Sequence, residues 1–471
     1  MRAARAAHRR RGDGGDGGNG GDGGDGGNGG DGGNGGEGLT SGCVWDESEW
    51  LSAALPAEKP APYIKMFARL LSARRVAAGA AAVVGGAAAY AQVRPAMAAE
   101  KEKVVTTKSW SYYSGLPIAD RKQFSLFTGN GNPALAHEVA TYLGVPLSRA
   151  EVSRFADGEV NIQILDNVRG KDVYLIQSTC PPVDDNYLEL LLMVSCLRRS
   201  SARRITVVMP YVGYARASVM QDEAVPISAR AIADMLETVG VDRVVGVDLA
   251  SAQMQGFFKP NVPTDNLEAV RVGANYYADA IALQQPIVVA IRTNTVQRAK
   301  DFRDTLTARG RREGNEHLAG ASLGMVIRPE VAAQKVTERE GEGALEDRIA
   351  GIELVGFPER IEGDVVLVED IIDTARTLCA AAYAVKARGA QRVYVFSTHG
   401  LFTKGAYERI AASPIDKVVV TNTVPRLAET AAETEGAGKV VRLTLAPLLA
   451  EVIRRIHEKE SLSESGVFKK E

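Results

Sequence analysis

A chain of 471 residues with 45% hydrophobic content is long enough for two ordinary domains plus extensions. Its formal net charge of -2 gives no global electrostatic case for a nucleic-acid partner, so any anion site must be local. Cys43, Cys180, Cys196 and Cys379 form no C-x-x-C pair and the histidines are dispersed, which argues against a disulfide framework, a zinc site or a His-based metal cluster.

Residues 12–38 are almost wholly Gly, Asp and Asn. With no apolar surface to offset the entropy of ordering, residues 1–65 are expected to form a disordered extension, unless translation begins at Met66. From Met66 the sequence reads MFARLLSARRVAAGAAAVVGGAAAYAQ, with basic residues among apolar ones and acids absent until the end. Residues 66–100 therefore have the texture of a presequence for a mitochondrion or plastid; without that role the chain would be cytoplasmic. A membrane anchor is the competing reading, although the apolar stretch Val76–Gln92 is short for a bilayer core. The targeting segment and linker are taken as 66–121.

Beyond Phe124 the texture becomes strand–helix alternation. Ser125–Thr128 is a short apolar run, and Pro133–Leu143 spaces Leu135, Val139 and Leu143 as a helix stopped by Gly144. Strands are expected at Asp172–Gln177, Ile205–Met209 and Val244–Val247, with helices at Tyr187–Arg198 and Ile227–Val239 between them. A second series follows at Ile287–Ile291, Val365–Val368, Val393–Ser397 and Lys417–Thr421, with a helix at Thr377–Ala387. Alternation twice over implies two parallel-sheet α/β domains, at 122–268 and 269–460, followed by a tail at 461–471. An insert at about 303–364 offers only weak strand candidates, Leu323–Ile327 and Ile352–Val355, and reads as an exposed, mobile or functional loop. The helix Ala446–His457 has an apolar face, Leu448, Leu449, Val452, Ile453 and Ile456, that reads as core packing.

The strongest site signal is DVVLVEDIIDTART, Asp364–Thr377. A buried strand delivers Glu369 and Asp370 to its carboxyl end, and Asp373 and Thr374 turn into a helix. The hydroxyls of Thr374 and Thr377, with helix N-terminal amides, can hold a phosphate. The carboxylates can take sugar hydroxyls or magnesium, an ion that prefers oxygen ligands. Ordinary capping accounts for one Asp and one Thr, but not for two acids that end an apolar strand.

This stretch resembles the phosphoribosyl-pyrophosphate loop of type I phosphoribosyltransferase folds. Collinear blocks such as FADGEVNIQI, RITVVMPYVGYAR, AQMQGFF, VYVFSTHGLF and LAPLLAEVIRRIHEKES resemble the ribose-phosphate pyrophosphokinase (phosphoribosyl pyrophosphate synthetase) family from Phe124 to Ser461. The resemblance implies two phosphoribosyltransferase type I-like domains, each a mainly parallel sheet flanked by helices. It also implies a reaction in which ATP, with Mg2+, gives its pyrophosphoryl group to ribose 5-phosphate. By the same resemblance Asp370, Asp373, Thr374 and Thr377 bind ribose phosphate, whereas Phe155, Asp157, Glu159 and Arg216 bind ATP. Phe155 reads equally well as plain core. Asp248 and Asp265 match metal-site acids. Homo- or hetero-oligomers with synthetase subunits are implied as partners, and no nucleic acid is.

Several chemistry-bearing positions depart from the family pattern. The family's metal-ligating His is Ala250, and an acid between Asp248 and Asp265 is Lys259. The run Ala217–Glu223 lacks the family's cations. The ribose-phosphate approach loop reads Ala290-Ile291-Arg292-Thr293-Asn294-Thr295, with arginine for the acid and side chains for both glycines. Arg328 stands at the catalytic lysine and Pro329 at the arginine, while Arg376 replaces the phosphate-loop glycine. Losses of charge and positioning each cost several kcal/mol, and ~1.4 kcal/mol is tenfold in rate. The sequence therefore suggests a catalytically weak or inactive regulatory subunit of a synthetase complex. The alternatives are a divergent but active synthetase and a phosphate-ligand sensor.

Overall fold

The computed structural model describes residues 117–119, 121–219, 224–327, 351–426 and 438–462. The Gly-rich extension, the targeting segment and the segment with Arg328 and Pro329 lie outside the described residues, as does 220–223. The first half contains β1 (Phe124–Thr128), α1 (Pro133–Leu143), β2 (Ala150–Arg154), β3 (Val160–Ile164), β4 (Asp172–Ile176) and α2 (Val183–Arg199). It continues through β5 (Arg204–Met209), α3 (Ser228–Val239), β6 (Arg243–Val247) and β7 (Thr264–Leu267). One sheet has the order β1-β4-β5-β6-β7, parallel throughout. β2 and β3 pair separately as an antiparallel hairpin.

The second half contains α4 (Val270–Ala280), β8 (Ile287–Ala290), α5 (Val296–Glu313), α6 (Glu316–Ala319), β9 (Ser322–Ile327), β10 (Glu353–Val355) and β11 (Val365–Ile372). It then runs through α7 (Arg376–Ala387), β12 (Val393–Gly400), α8 (Ala406–Ala412), β13 (Lys417–Thr421), β14 (Val440–Leu443) and α9 (Ala446–Glu458). Its sheet order is β10-β9-β8-β11-β12-β13-β14, and β10 is the antiparallel member. Every residue of β4, β11 and β12 is buried, as parallel strands covered by helices on both faces require.

Local chemistry sets the ends of α1. The Asn132 side chain accepts from Leu135 N at 3.3 Å, Pro133 occupies the first turn, and Gly144 closes the helix at φ 64°. The described residues of the insert are more ordered than the sequence reading has it. Arg303–Glu313 continues α5, and both weak strand candidates pair, as β9 and β10. The helix escaped notice because its buried stripe is narrow: Ala299, Phe302, Leu306 and Gly310, among mostly charged neighbours.

The C-terminal helix also differs from its assignment to the second half alone. α9 packs on α1, and its Leu448, Leu449, Val452 and Ile453 share one core with Leu135, Val139 and Leu143. Its His457 ring stands edge-on to Phe124 at 5.2 Å. The same core holds Phe396 of β12 and Tyr277 of α4, whose hydroxyl donates to Val395 O at 2.7 Å. Gly273 of α4 lets that helix close on the sheet, since a Cβ there would stand 2.2 Å from Phe396 Cε2. Alanine would gain about 1 kcal/mol of helix propensity. Overpacking against a buried ring, at about 1–3 kcal/mol and at its upper end for so close a contact, outweighs that gain. Gly273→Ala is therefore expected to lower the urea midpoint with no change in slope; an unchanged or raised midpoint would refute the tight contact.

Candidate functional site

The site lies where the carboxyl ends of the two sheets meet. β8 and β11 are parallel partners with Ala290 opposite Val368, so the residues just after each strand emerge side by side. That register sets Arg292 beside Glu369, with Arg292 Nε 3.4 Å from Glu369 Oε2. Glu369 and Asp370 are both buried, and Asp370 N donates to Glu369 Oε1 at 3.2 Å. Burial pushes Glu369 up to about 8, reinforced by the adjoining Asp370 carboxylate and opposed by Arg292. Burial acts in the same direction on Asp370, but its bond from Glu369 and the charges of Arg298 and Arg292 prevail and hold it low. The two acids thus tend to share a proton near neutral pH.

Beyond β11 the chain forms a tight loop into α7. Thr374 and Thr377 are partly buried around the first turn of this twelve-residue helix, and Ala375 is left-handed at φ 56°. Left-handed backbone costs a non-glycine residue roughly 1 kcal/mol, which the surrounding contacts must hold in place. Arg409 Nε donates to Thr374 O at 3.2 Å, and Thr403 Oγ1 donates to Asp373 Oδ1 at 2.5 Å. The other Asp373 oxygen receives both Nη1 and Nη2 of Arg216 at 3.0 Å. A residue assigned to ATP and one assigned to ribose phosphate therefore neutralise each other across the junction.

The rest of the ATP assignment stays apart from that junction. Phe155, Asp157 and Glu159 sit on the turn between β2 and β3, where Phe155 N donates to Glu159 O at 2.8 Å. Phe155 is 53% exposed, so the plain-core alternative for it fails.

Asp248 is buried at the seam. Its Oδ1 pairs with Arg298 Nη1 of α5. Its Oδ2 accepts from Thr398 Oγ1 at 2.5 Å and Ala269 N at 3.1 Å. Nearby His399 bridges the halves from β12 through Nε2 to Val247 O at 3.1 Å and Nδ1 to Thr423 Oγ1 at 2.8 Å. Burial lowers His399 to about 4, so the ring is neutral; a carbonyl only accepts, which assigns the ring hydrogen to Nε2. Sequence reasoning missed His399, Arg298 and Arg292 as a set, because their spacing along the chain carries no motif.

These residues do not fit a divalent cation. Both Asp248 oxygens are engaged by the chain's own donors, and Asp265 pairs with Arg243 Nη1 at 2.6 Å. Lys259 binds Glu237 at 3.0 Å, and Ala250 supplies no ligand. Among the described residues, no group of three or more His, Cys, Asp or Glu side chains could hold a metal. At Glu369 and Asp370, a divalent ion about 5 Å from a guanidinium would be repelled by roughly 6 kcal/mol at an effective dielectric near 20. The metal expectation for Asp248 and Asp265 thus meets acids already neutralised from within.

Asp248→Ala would strand the largely buried Arg298 without its counter-charge, at a cost of about 3–5 kcal/mol. Chemical denaturation should show that loss, with Asp265→Ala, at its more exposed pair, costing much less. Equal effects would rule out the buried pair as the stronger constraint.

With this geometry in hand, comparison with known proteins is direct. The N-terminal domain of ribose phosphate pyrophosphokinase matches residues 124–240, and the phosphoribosyl synthetase-associated domain matches residues 285–468. A ribose-phosphate pyrophosphokinase of Helicobacter pylori is 40% identical over 344 residues, covering 73% of this chain and 96% of that protein. One from Vibrio cholerae is 42% identical over 342 residues, covering 72% and 97%. The crystal structure of phosphoribosylpyrophosphate synthetase from Mycobacterium smegmatis superposes with a TM-score of 0.59 at 30% identity, covering 72% of this chain and 100% of that one. The paired parallel sheets are thus of the phosphoribosyltransferase type I kind, and the chain belongs to the ribose-phosphate pyrophosphokinase family.

Proposed function

We propose that this chain is a divergent ribose-phosphate pyrophosphokinase of slow turnover, which converts ATP and ribose 5-phosphate into phosphoribosyl pyrophosphate and AMP. One observation carries the reading. Asp370 stands near the end of β11, and Asp373, Thr374 and Thr377 lie in the loop and first turn of α7, in a chain 40% identical to a synthetase across 96% of that protein's length. The hydroxyls and N-terminal amides suit the 5-phosphate, and the acids suit the ribose hydroxyls. Arg216 reaches the nucleotide phosphates once substrate draws it from Asp373. The anomeric oxygen bonds to the β-phosphorus, that phosphorus parts from the oxygen bridging to the α-phosphate, and AMP leaves with it. The hydroxyl proton passes to solvent. Arg328 supplies the cation at the position of the family's catalytic lysine.

The set of substitutions in the sequence favours a second reading, a non-catalytic subunit that assembles with active synthetase chains. Its support is specific: Ala250 cannot ligate, Arg292 faces Glu369, and residues 217–223 carry no cation. For either reading, residues 66–100 are proposed to deliver the chain to a mitochondrion or plastid, a role that a fluorescent fusion of residues 1–121 tests by its location in the cell.

Purified protein is expected to form AMP and phosphoribosyl pyrophosphate in equal amounts, at least about a hundredfold more slowly than the Helicobacter pylori relative, since one lost charge contact typically costs 10²–10³. Arg328→Ala is expected to abolish this residual rate. No AMP above background, with a changed rate when the chain is mixed with an active synthetase, would establish the regulatory reading instead.

In a separate binding measurement, Asp373→Ala is expected to weaken ribose 5-phosphate by about tenfold, or 1.4 kcal/mol. Unaltered affinity would show that the sugar phosphate binds elsewhere.

A further inference from the structure

The acids that end β11 already have a cation. Arg292 follows β8, whose register with β11 fixes it beside Glu369, and its Nε lies 3.4 Å from Glu369 Oε2. A second guanidinium, Arg298, is held at the same seam by Asp248. Arg298 Nε is buried with no hydrogen-bond partner among the described residues, so the cluster is not short of donors. Two fixed cations thus face three acids, Asp248, Glu369 and Asp370. Magnesium would need several oxygen ligands at close range and would have to displace a guanidinium to gain them. The Arg292 side chain is 46% exposed, so the part of its donor fork turned from Glu369 remains open to a bound ligand.

We propose that Arg292 stands in for a divalent cation at the sugar-binding acids, so that ribose 5-phosphate binds this chain without magnesium. This rests on the reading that the pocket takes a sugar phosphate. The guanidinium holds a fixed positive charge beside Glu369 and Asp370 and donates hydrogen bonds to the ribose hydroxyl oxygens, a service that a metal performs by coordination. The proposal concerns these protein acids and not metal carried in on a nucleotide.

Two measurements on the full chain test it separately. In calorimetry, Mn2+ alone is expected to show no saturable binding to wild-type protein, while Arg292→Asp gains one saturable site. Saturable wild-type binding that Glu369→Gln removes would overturn the inference, as would an Arg292→Asp protein that gains nothing. Ribose 5-phosphate is then titrated in EDTA and in MgCl2. Wild-type affinity is expected to change by less than about twofold between buffers, and Arg292→Asp affinity by more than about tenfold. A wild-type requirement for magnesium overturns the inference. Absence of ribose 5-phosphate binding in both buffers would instead overturn the proposed function, leaving the Mn2+ titration to decide the cation's role by itself. Should Arg292→Asp fail to fold by circular dichroism, Arg292→Ala takes its place with the same expected gain of Mn2+ binding.

Discussion

The ion pair between Asp248 and Arg298 is the constraint on which the arrangement turns. Asp248 directly follows β6 of the first sheet, and Arg298 lies in the first turn of α5 in the second half. Both are largely withdrawn from water, so neither can move away without leaving a charge stranded in a poor solvent for it. Thr398 and Ala269 satisfy the remaining Asp248 oxygen, and neutral His399 ties β12 to the last carbonyl of β6. Around them the apolar core runs on through both halves, from Leu135 and Tyr174 to Phe396 and Leu443. The carboxyl ends of the two sheets are thereby held face to face, and loops from both must share one set of charges.

That shared set explains why a few substitutions have linked effects. In a site open to water, exchanging an acid for Arg292 would alter one local charge and be largely screened. Here it places a guanidinium against Glu369, whose burial already disfavours ionisation, and it bears on Asp370 as well. The same logic applies to Arg216 and Asp373, although their exposure makes that pair the weaker of the two. A pocket that neutralises itself has less use for an external cation and a weaker pull on an external anion.

Much of this was legible in the sequence. Apolar runs bounded by Gly and polar turns marked β4, β5, β6, β8, β11, β12 and β13, because fully buried parallel strands concentrate apolar residues. Helix α1 could be read from Asn132 to Gly144, since its caps are local chemistry. The hairpin β2–β3 was not legible: its strands are half-exposed, and their alternation is weak. β7 and β14 were missed as well, being four-residue strands with only partial burial. In the site, the acids and hydroxyls between Glu369 and Thr377 stood out because one strand and one turn present them. The pairing of Arg292 with Glu369, of Arg298 with Asp248 and of Arg216 with Asp373 did not stand out. It depends on register between β8 and β11 and on the meeting of the two halves, and neither is encoded within a short window.

Contacts made by backbone and contacts made by side chains also differ in what a substitution can remove. The backbone amides at the start of α7 are supplied by any sequence compatible with the helix, so a side chain such as that of Arg376 removes none of those donors. Metal ligation by side chains has no such reserve, because each ligand is one particular side chain and an alanine such as Ala250 supplies none. Buried carboxylates without a counter-charge are costly for folding. An arginine beside them, as Arg292 is beside Glu369, relieves the protein's own electrostatics whatever else the site does. An internal cation and a bound metal thus meet the same physical need, that of buried carboxylates for a counter-charge.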